Sequence, residues 1–211
     1  MLSDKIINLG TMIKKIFFVL AFALVAQLIV ACVDCDCPPY RKFTFTNKGI
    51  SLNNLDASLP QPMVTTASTI SSANYGVHIE LITEVISWRK KRTSWGLMQS
   101  AYACSCAEDD YKPKEKILSL EIFSNNDYDA THPKNTDLSL YFNVKRNSGT
   151  ISIAKYLDSI KDFEYLARYA FDEGIFLQVP PNINKKHKFR FKMTLSDGRI
   201  LEAETTEVEL I

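Results

Sequence analysis

Polar and apolar residues alternate through most of the chain after residue 41, which is the period of a half-buried strand and not of a helix. Lys42-Phe43-Thr44-Phe45-Thr46 opens the series, Asn47-Lys48-Gly49 reads as a turn, and 50–55 as a short strand. Residues 58–72 are rich in Pro, Ser and Thr and are predicted to form an irregular connection. The clearest long strand is 75–86, with Tyr75, Val77, Ile79, Leu81, Thr83 and Val85 on one face. Its other face carries His78, Glu80, Ile82, Glu84 and Ile86, so its far end is expected to be covered on both sides. The pattern stops over 87–103, and 108–114 reads as a charged loop ending at Pro113.

Alternation resumes at 117–123 with Leu118, Leu120 and Ile122 expected inward. Residues 125–137 read as a long polar loop, 138–144 as a strand through Leu140 and Phe142, and 146–149 as a turn. Over 151–171 the period changes: Ile153, Tyr156, Leu157, Ile160, Phe163, Leu166 and Phe171 fall near helical spacing, ended by Gly174. A strand at 175–179 stops at Pro180-Pro181. The chain closes on a hairpin, 187–195 with 200–210, around Ser196-Asp197-Gly198, because Asp-Gly between alternating runs is a strong hairpin signal. Seven or eight strands with one helical insertion predict a mainly β fold. The expected architecture is an antiparallel β-sandwich, immunoglobulin-like or transthyretin-like, with a β-barrel as the alternative.

Upstream, the pattern is a leader. Met12-Ile13-Lys14-Lys15 precedes an apolar run of 16 residues, Ile16 to Ala31, interrupted only by Gln27. That run is shorter than the roughly 20 residues of a membrane span and fits a secretory signal, with an uncleaved anchor as the alternative. Met12 is an alternative start. Ile29-Val30-Ala31-Cys32 looks like the bacterial lipobox, which implies diacylation of the Cys32 thiol and cleavage before it. A plain secretory signal cut nearby is the rival. Lipid chains add about 0.8 kcal/mol per buried methylene, so more than one gives stable anchoring. The domain plan is then a signal peptide (1–31), a lipidated tether (32–41) and one β-sandwich domain (42–211). Asp34 and Asp36 sit where sorting signals act in some bacteria, so either a periplasmic or a surface-facing outer-membrane position fits.

Charge changes the picture little. Cutting before Cys32 removes Lys5, Lys14, Lys15 and Asp4 from 25 basic and 24 acidic side chains, leaving 22 and 23, a net of −1. A near-neutral chain argues against a nucleic-acid partner.

Beyond Cys32 the cysteines are two Cys-x-Cys pairs, Cys35 with Cys37 and Cys104 with Cys106. In an oxidising compartment an even number predicts disulfides. A bridge within one pair closes a strained ring, which favours crosswise pairing, and either partner choice is open. One such bridge would constrain the unfolded chain by roughly 4 kcal/mol. It would also bolt the tether onto the domain just before Pro38-Pro39. A four-thiolate metal site and free or redox-active thiols are the alternatives, although one residue between ligands is tight for a tetrahedral centre.

No catalytic motif is present: there is no Gly-x-Ser-x-Gly, phosphate loop, His-Glu-x-x-His or glycine-rich fingerprint. No enzyme activity and no cofactor are therefore expected. His78, His132 and His187 are scattered and predict no metal site. The acids Glu108, Asp109 and Asp110, and the group Asn125, Asn126, Asp127 and Asp129, offer oxygen ligands for calcium but lack its spacing signature. The stretch Trp88-Arg89-Lys90-Lys91-Arg92 with Trp95 could bind anionic glycan or lipid headgroups. The alternative is a solvated loop whose tryptophans tuck back on the sheet.

The lipobox, Tyr-Gly-Val-x-Ile-x-Leu at 75–81, Ala-Cys-Ser-Cys at 103–106 and Leu-Ser-Asp-Gly-Arg at 195–199 together resemble a family of small envelope lipoproteins of gut-type Gram-negative bacteria. These carry a domain of unknown function. The resemblance implies no activity and carries over no functional residue beyond Cys32. Three roles remain open: a non-enzymatic lipid-anchored protein that binds an envelope partner or is structural, a surface glycan-binding lipoprotein, and a pilus or adhesin subunit. The last would exchange a loosely held edge strand, for which 200–210 is the candidate.

Overall fold

A computed structural model describes residues 17–18, 20–22, 41–90, 109–146, 149–161 and 168–211, with the backbone only at 89 and 90. The chain divides into two compact units, Met1–Tyr40 with Lys90–Asp109, and Arg41–Arg89 with Asp110–Ile211. In the first, Phe17, Phe18, Leu20 and Phe22 are helical and exposed. No described helix is long and apolar enough to cross a membrane. Cys32, Cys35, Cys37, Cys104, Cys106, Lys91, Arg92 and Trp95 lie outside the described residues.

The second unit is mainly β. Its first five strands are β1 (Arg41–Asp56), β2 (Met63–Val64), β3 (Thr69–Ile70), β4 (Tyr75–Lys90) and β5 (Asp110–Pro113). Then come β6 (Ile117–Ser124), β7 (Phe142–Arg146), β8 (Gly149–Ser152) and the helix α1 (Ile153–Lys161). The chain ends with β9 (Ile175–Leu177), β10 (Lys186–His187), β11 (Phe189–Leu195), β12 (Ile200–Glu204) and β13 (Val208–Leu210). One sheet runs β2-β1-β4-β9-β7-β8 with β5 beside β1, and the facing sheet is β12-β11-β6. A small sheet, β10-β13-β3, completes the unit. β2 on β1, β9 on both β4 and β7, β8 on β7, β11 on both β12 and β6, and β10 on β13 are antiparallel, whereas β5 on β1 and β3 on β13 are parallel. The sheets do not close into a barrel, and the expected β-sandwich with a short helix is what forms.

The two large sheets meet through aromatic rings. Tyr75 of β4 and Phe142 of β7 each lie 5.5 Å from Phe189 of β11, and Phe142 lies 6.4 Å from Phe191. Val77, Ile79, Val144 and Ile175 from one sheet join Leu120, Ile122 and Met193 from the other in a single core. The helix buries Ile153, Tyr156, Leu157 and Ile160, the i, i+3, i+4, i+7 stripe that its sequence announces.

Several local expectations are corrected. Asn47-Lys48-Gly49 is no turn, since β1 runs through it with Phe45, Thr46 and Asn47 all buried. Buried polar partners hold it there: Thr46 Oγ1 donates to Glu115 at 2.8 Å, and Arg199 donates to the Asn47 carbonyl at 2.7 Å. The charged loop at 108–114 contains β5, which adds to β1 with Tyr111 stacked on Phe43 at 4.9 Å. The connection at 58–72 contains β2 and β3. Strand β4 continues past residue 86 to Lys90, and its far end is exposed on both faces, at Ile82, Ile86 and Trp88 on one and at Val85 on the other.

Ile151 belongs to β8, so the helix starts two residues later than its spacing suggested. The segment at 138–144 begins with a 3₁₀ turn, Ser139–Tyr141, which points Leu140 outward before β7 starts. Leu118 is also outward, because the β6–β11 register slips by one residue between Thr194 and Leu195. The terminal hairpin is cut short at Thr205. Phe189 donates its N–H to Thr205 Oγ1 at 3.0 Å and its carbonyl accepts the Thr205 N–H at 2.8 Å. Of the 200–210 segment, β12 alone therefore pairs with β11, and β13 joins the small sheet.

Candidate functional site

Those two outward leucines mark the site. A groove of about 290 Å³ opens between β6 and the helix, lined by Leu118, Ser119, Leu120, Ser139, Leu140, Leu157, Asp158 and Lys161 among others. Leu140 is 89% exposed and Leu118 51%, although strand alternation alone would bury both. The bulge aims Leu118 sideways and the 3₁₀ turn lifts Leu140. The charges at the rim cancel, since Lys161 donates to Asp158 at 2.6 Å. The groove is thus an apolar, nearly neutral slot with serine hydroxyls along it.

Its floor is the outer edge of β6. Ile122 turns its N–H to Asp137 Oδ1 (3.1 Å), and its carbonyl accepts the Leu138 N–H (2.7 Å), so even-numbered residues of β6 face away from β11. Antiparallel ladders alternate in this way, and the next outward pair is the N–H and carbonyl of Leu120. Leu120 is itself a core residue, only 3% exposed, so this edge is covered at that point.

The titratable clusters are arranged differently: each is closed. His187 Nε2 faces the Asn184 carbonyl at 2.8 Å, a pure acceptor, so Nε2 carries the proton and Nδ1 accepts from Ser124 Oγ at 2.8 Å. This has the spacing of a nucleophile and its base, but both side chains are buried, and Ser124 Oγ also accepts the Asn126 N–H. Burial lowers the His187 pKa, partly offset by the Asn184 carbonyl. The sign follows from linkage: the unfolded state takes the proton first, so stability rises with pH through this window. Stability measured by urea unfolding is expected to be level above about pH 6.5 and to fall below it. His187→Gln should remove most of that slope, and an unchanged slope in the variant would contradict the assignment.

Asp129 anchors the second cluster. Desolvation pushes its carboxyl up but is outweighed by hydrogen bonds from Thr131, His132 and Tyr141, which hold it well below the ordinary carboxylate range. Its Oδ1 accepts from Thr131 Oγ1 at 2.7 Å and lies 2.9 Å from His132 Nδ1, while Oδ2 accepts from Tyr141 Oη at 2.9 Å. The acceptor bond to Asp129 raises the Tyr141 pKa in turn, helped by desolvation. Thr131 Oγ1 and Tyr141 Oη also lie 2.9 and 3.0 Å from His132 Nδ1, so the cluster ties Thr131, His132 and Tyr141 to Asp129.

The other candidates read as scaffolding too. Asn125 Oδ1 accepts the Lys188 N–H, Asp127 Oδ1 accepts the Lys134 N–H, and Asn126 donates to the Lys186 carbonyl. The Asn125 and Asp127 oxygens thus serve the chain's own N–H groups. Among the described residues no three His, Cys, Asp or Glu side chains form a metal-holding group. Glu115 is buried, accepts from Thr46, and pairs with Arg199 at 2.8 Å.

Trp88, 61% exposed, stands out from the end of β4, so it does not tuck back on the sheet. Arg89 and Lys90 continue the same strand in the backbone. Among the described residues, none of the sequence-selected candidates lines the groove. The groove residues had one sequence signal: the adjacent apolar pair Ile117-Leu118 violates alternation, as a bulge does.

A family model described as a domain of unknown function, DUF5034, matches residues 47–206. No curated protein and no solved structure matches the chain.

Proposed function

The chain belongs to the DUF5034 family, and from that premise we propose that it is a lipid-anchored protein of the bacterial cell envelope with a binding, non-enzymatic role. The observation that carries the anchor is Ile29-Val30-Ala31-Cys32 at the end of a 16-residue apolar run with lysines before it. The chemistry needs the Cys32 thiol as the acyl acceptor and a small residue at position 31. The lipid would attach the chain to the outer membrane, facing the periplasm or the exterior.

The binding role is supported by the contrast between sites. The polar clusters that could resemble catalytic groups are saturated internally, whereas the groove beside β6 is open and apolar. A second reading, recognition of glycan or headgroup by aromatic stacking, draws on the exposure of Trp88. A donor role in strand exchange finds less support. β13 is held on both sides, with the Leu210 N–H on the Lys185 carbonyl (2.7 Å) and the Ile211 N–H on the Ile70 carbonyl (3.1 Å).

Cys32→Ser is the test of the anchor. The unaltered chain should partition into the detergent phase and carry the mass of its acyl groups on an N-terminal Cys32. The variant should lose that mass and keep its leader. Equal partition of the two proteins, or an unmodified thiol at position 32, would overturn lipidation.

A further inference from the structure

We propose that two copies of this chain join edge to edge through β4, antiparallel about a two-fold axis at Val85. The inference is independent of the groove beside β6. Strand β4 lies between β1 and β9, but β9 pairs with it only at Gly76 and Val77, while β4 runs on to Lys90. The direction of its backbone groups follows from β9. The Lys145 N–H donates to the Gly174 carbonyl at 3.0 Å and the Gln178 N–H to the Tyr141 carbonyl at 2.8 Å, so even-numbered residues there turn toward β7. Ile175 therefore turns toward β4 and meets Val77, and odd-numbered residues of β4 turn away from β1. Past β9 that row continues through Thr83, Val85 and Ser87. Val85 is 48% exposed, Ser87 is exposed, and among the described residues no strand pairs with this side.

An exposed row of N–H and C=O groups is a template for another strand, and edges that stay single are commonly guarded by Lys or Pro. From Val77 to Trp88 this strand has neither. Its own sequence fits a second copy. An antiparallel pair about Val85 overlaps the row end to end, from Leu81 to Arg89, roughly 30 Å of extended chain. Val85 then bonds the partner's Val85, and Thr83 bonds the partner's Ser87. On the outer face Ile82 falls opposite the partner's Trp88, and Ile86 opposite the partner's Glu84. Ile82, Ile86 and Trp88 are 51%, 46% and 61% exposed in the single chain, and the pairing gathers them from both copies into one apolar stripe. Glu84 is neutralised by Lys48 of its own chain at 2.7 Å. At each end the register sets an acidic position, 80, against a basic one, 90. An axis one residue earlier would set Glu84 directly against itself, which is unfavourable. A lipid surface could cover the apolar side chains but would leave the backbone row unpaired.

The test uses the full chain in detergent, with micelles in excess over protein, across a hundredfold range of protein concentration. Sedimentation should show a dimer that dissociates on dilution. Hydrogen exchange at the Thr83, Val85 and Ser87 amides should be at least tenfold slower in the dimer. Val85→Pro should abolish the dimer and leave the unfolding midpoint of the dilute monomer unchanged, because the amide hydrogen it removes points outward. Val85→Lys and Val85→Glu should each be monomeric alone, with like charges meeting at the axis, and should dimerise when mixed. A monomer at every concentration would overturn the inference. So would a dimer that survives Val85→Pro, or charged variants that fail to pair on mixing. Protection of the Val85 amide that appears only with anionic phospholipid vesicles, without a dimer, would show a lipid surface as the occupant and would also overturn it.

Discussion

Phe189→Ala is expected to cost about 3–5 kcal/mol of unfolding free energy, the range for deleting a buried aromatic ring. Phe189 is fully buried on β11, the central strand of its sheet, with β6 on one side and β12 on the other. Its ring meets Tyr75 and Phe142 from the opposite sheet, each at 5.5 Å, and His187 at 5.5 Å. Truncation leaves a cavity between two sheets that cannot collapse, because the strands on both sides are fixed by their ladders. Domains have only about 5–15 kcal/mol of stability in total, so the variant should be near the edge of folding at 37 °C. Phe189→Leu keeps most of the volume and should lose much less. Urea midpoints of the three proteins check this, and a loss under about 1 kcal/mol for the alanine variant would mean the ring does not join the layers.

Gly174→Ala is the second large effect, expected at about 2–4 kcal/mol from positive-φ strain together with overpacking. Gly174 has φ +90°, which a side chain resists, and a methyl there would come within 2.6 Å of Leu55 Cδ1 and 3.2 Å of the Phe176 ring. The residue sits at the entry to β9, which connects β4 to β7 in the large sheet, and its carbonyl accepts the Lys145 N–H at 3.0 Å. A shift to relieve the contact therefore pulls on that junction. Gly149→Ala is the control, with nothing within 4 Å of the new methyl and an ordinary φ. It should be neutral or slightly stabilising. Thermal unfolding of both variants separates the outcomes, and equal midpoints would remove the case for strain at Gly174.

Much of this fold is legible in the residues. Tyr75, Val77 and Ile79 face the core as their period of two requires, and Ile153, Tyr156, Leu157 and Ile160 do so at helical period. Asp197-Gly198 turns the β11–β12 hairpin, with Gly198 at φ +85°. These features are local: side-chain period and turn chemistry are set within a few residues.

What failed was decided at longer range. Asp110–Pro113 is polar and short, and only the neighbouring edge of β1 makes it a strand. Thr205 ends the last hairpin through bonds to Phe189, sixteen residues away. Leu118 and Leu140 have the composition of core residues. A register slip against β11 turns one out, and a 3₁₀ turn beside β6 turns out the other.

The sequence by itself determined the alternating strands, the amphipathic helix, the near-neutral charge and the apolar run Ile16 to Ala31 ahead of Cys32, because each is read directly from the residues. Only the tertiary structure decided which hydroxyls and carboxylates are bonded internally and which leucines stand outward. A hydrogen-bonding group counts as free or satisfied according to partners that the chain brings from distant positions. Ser124 meets His187 across 63 residues, and Thr46 meets Glu115 across 69.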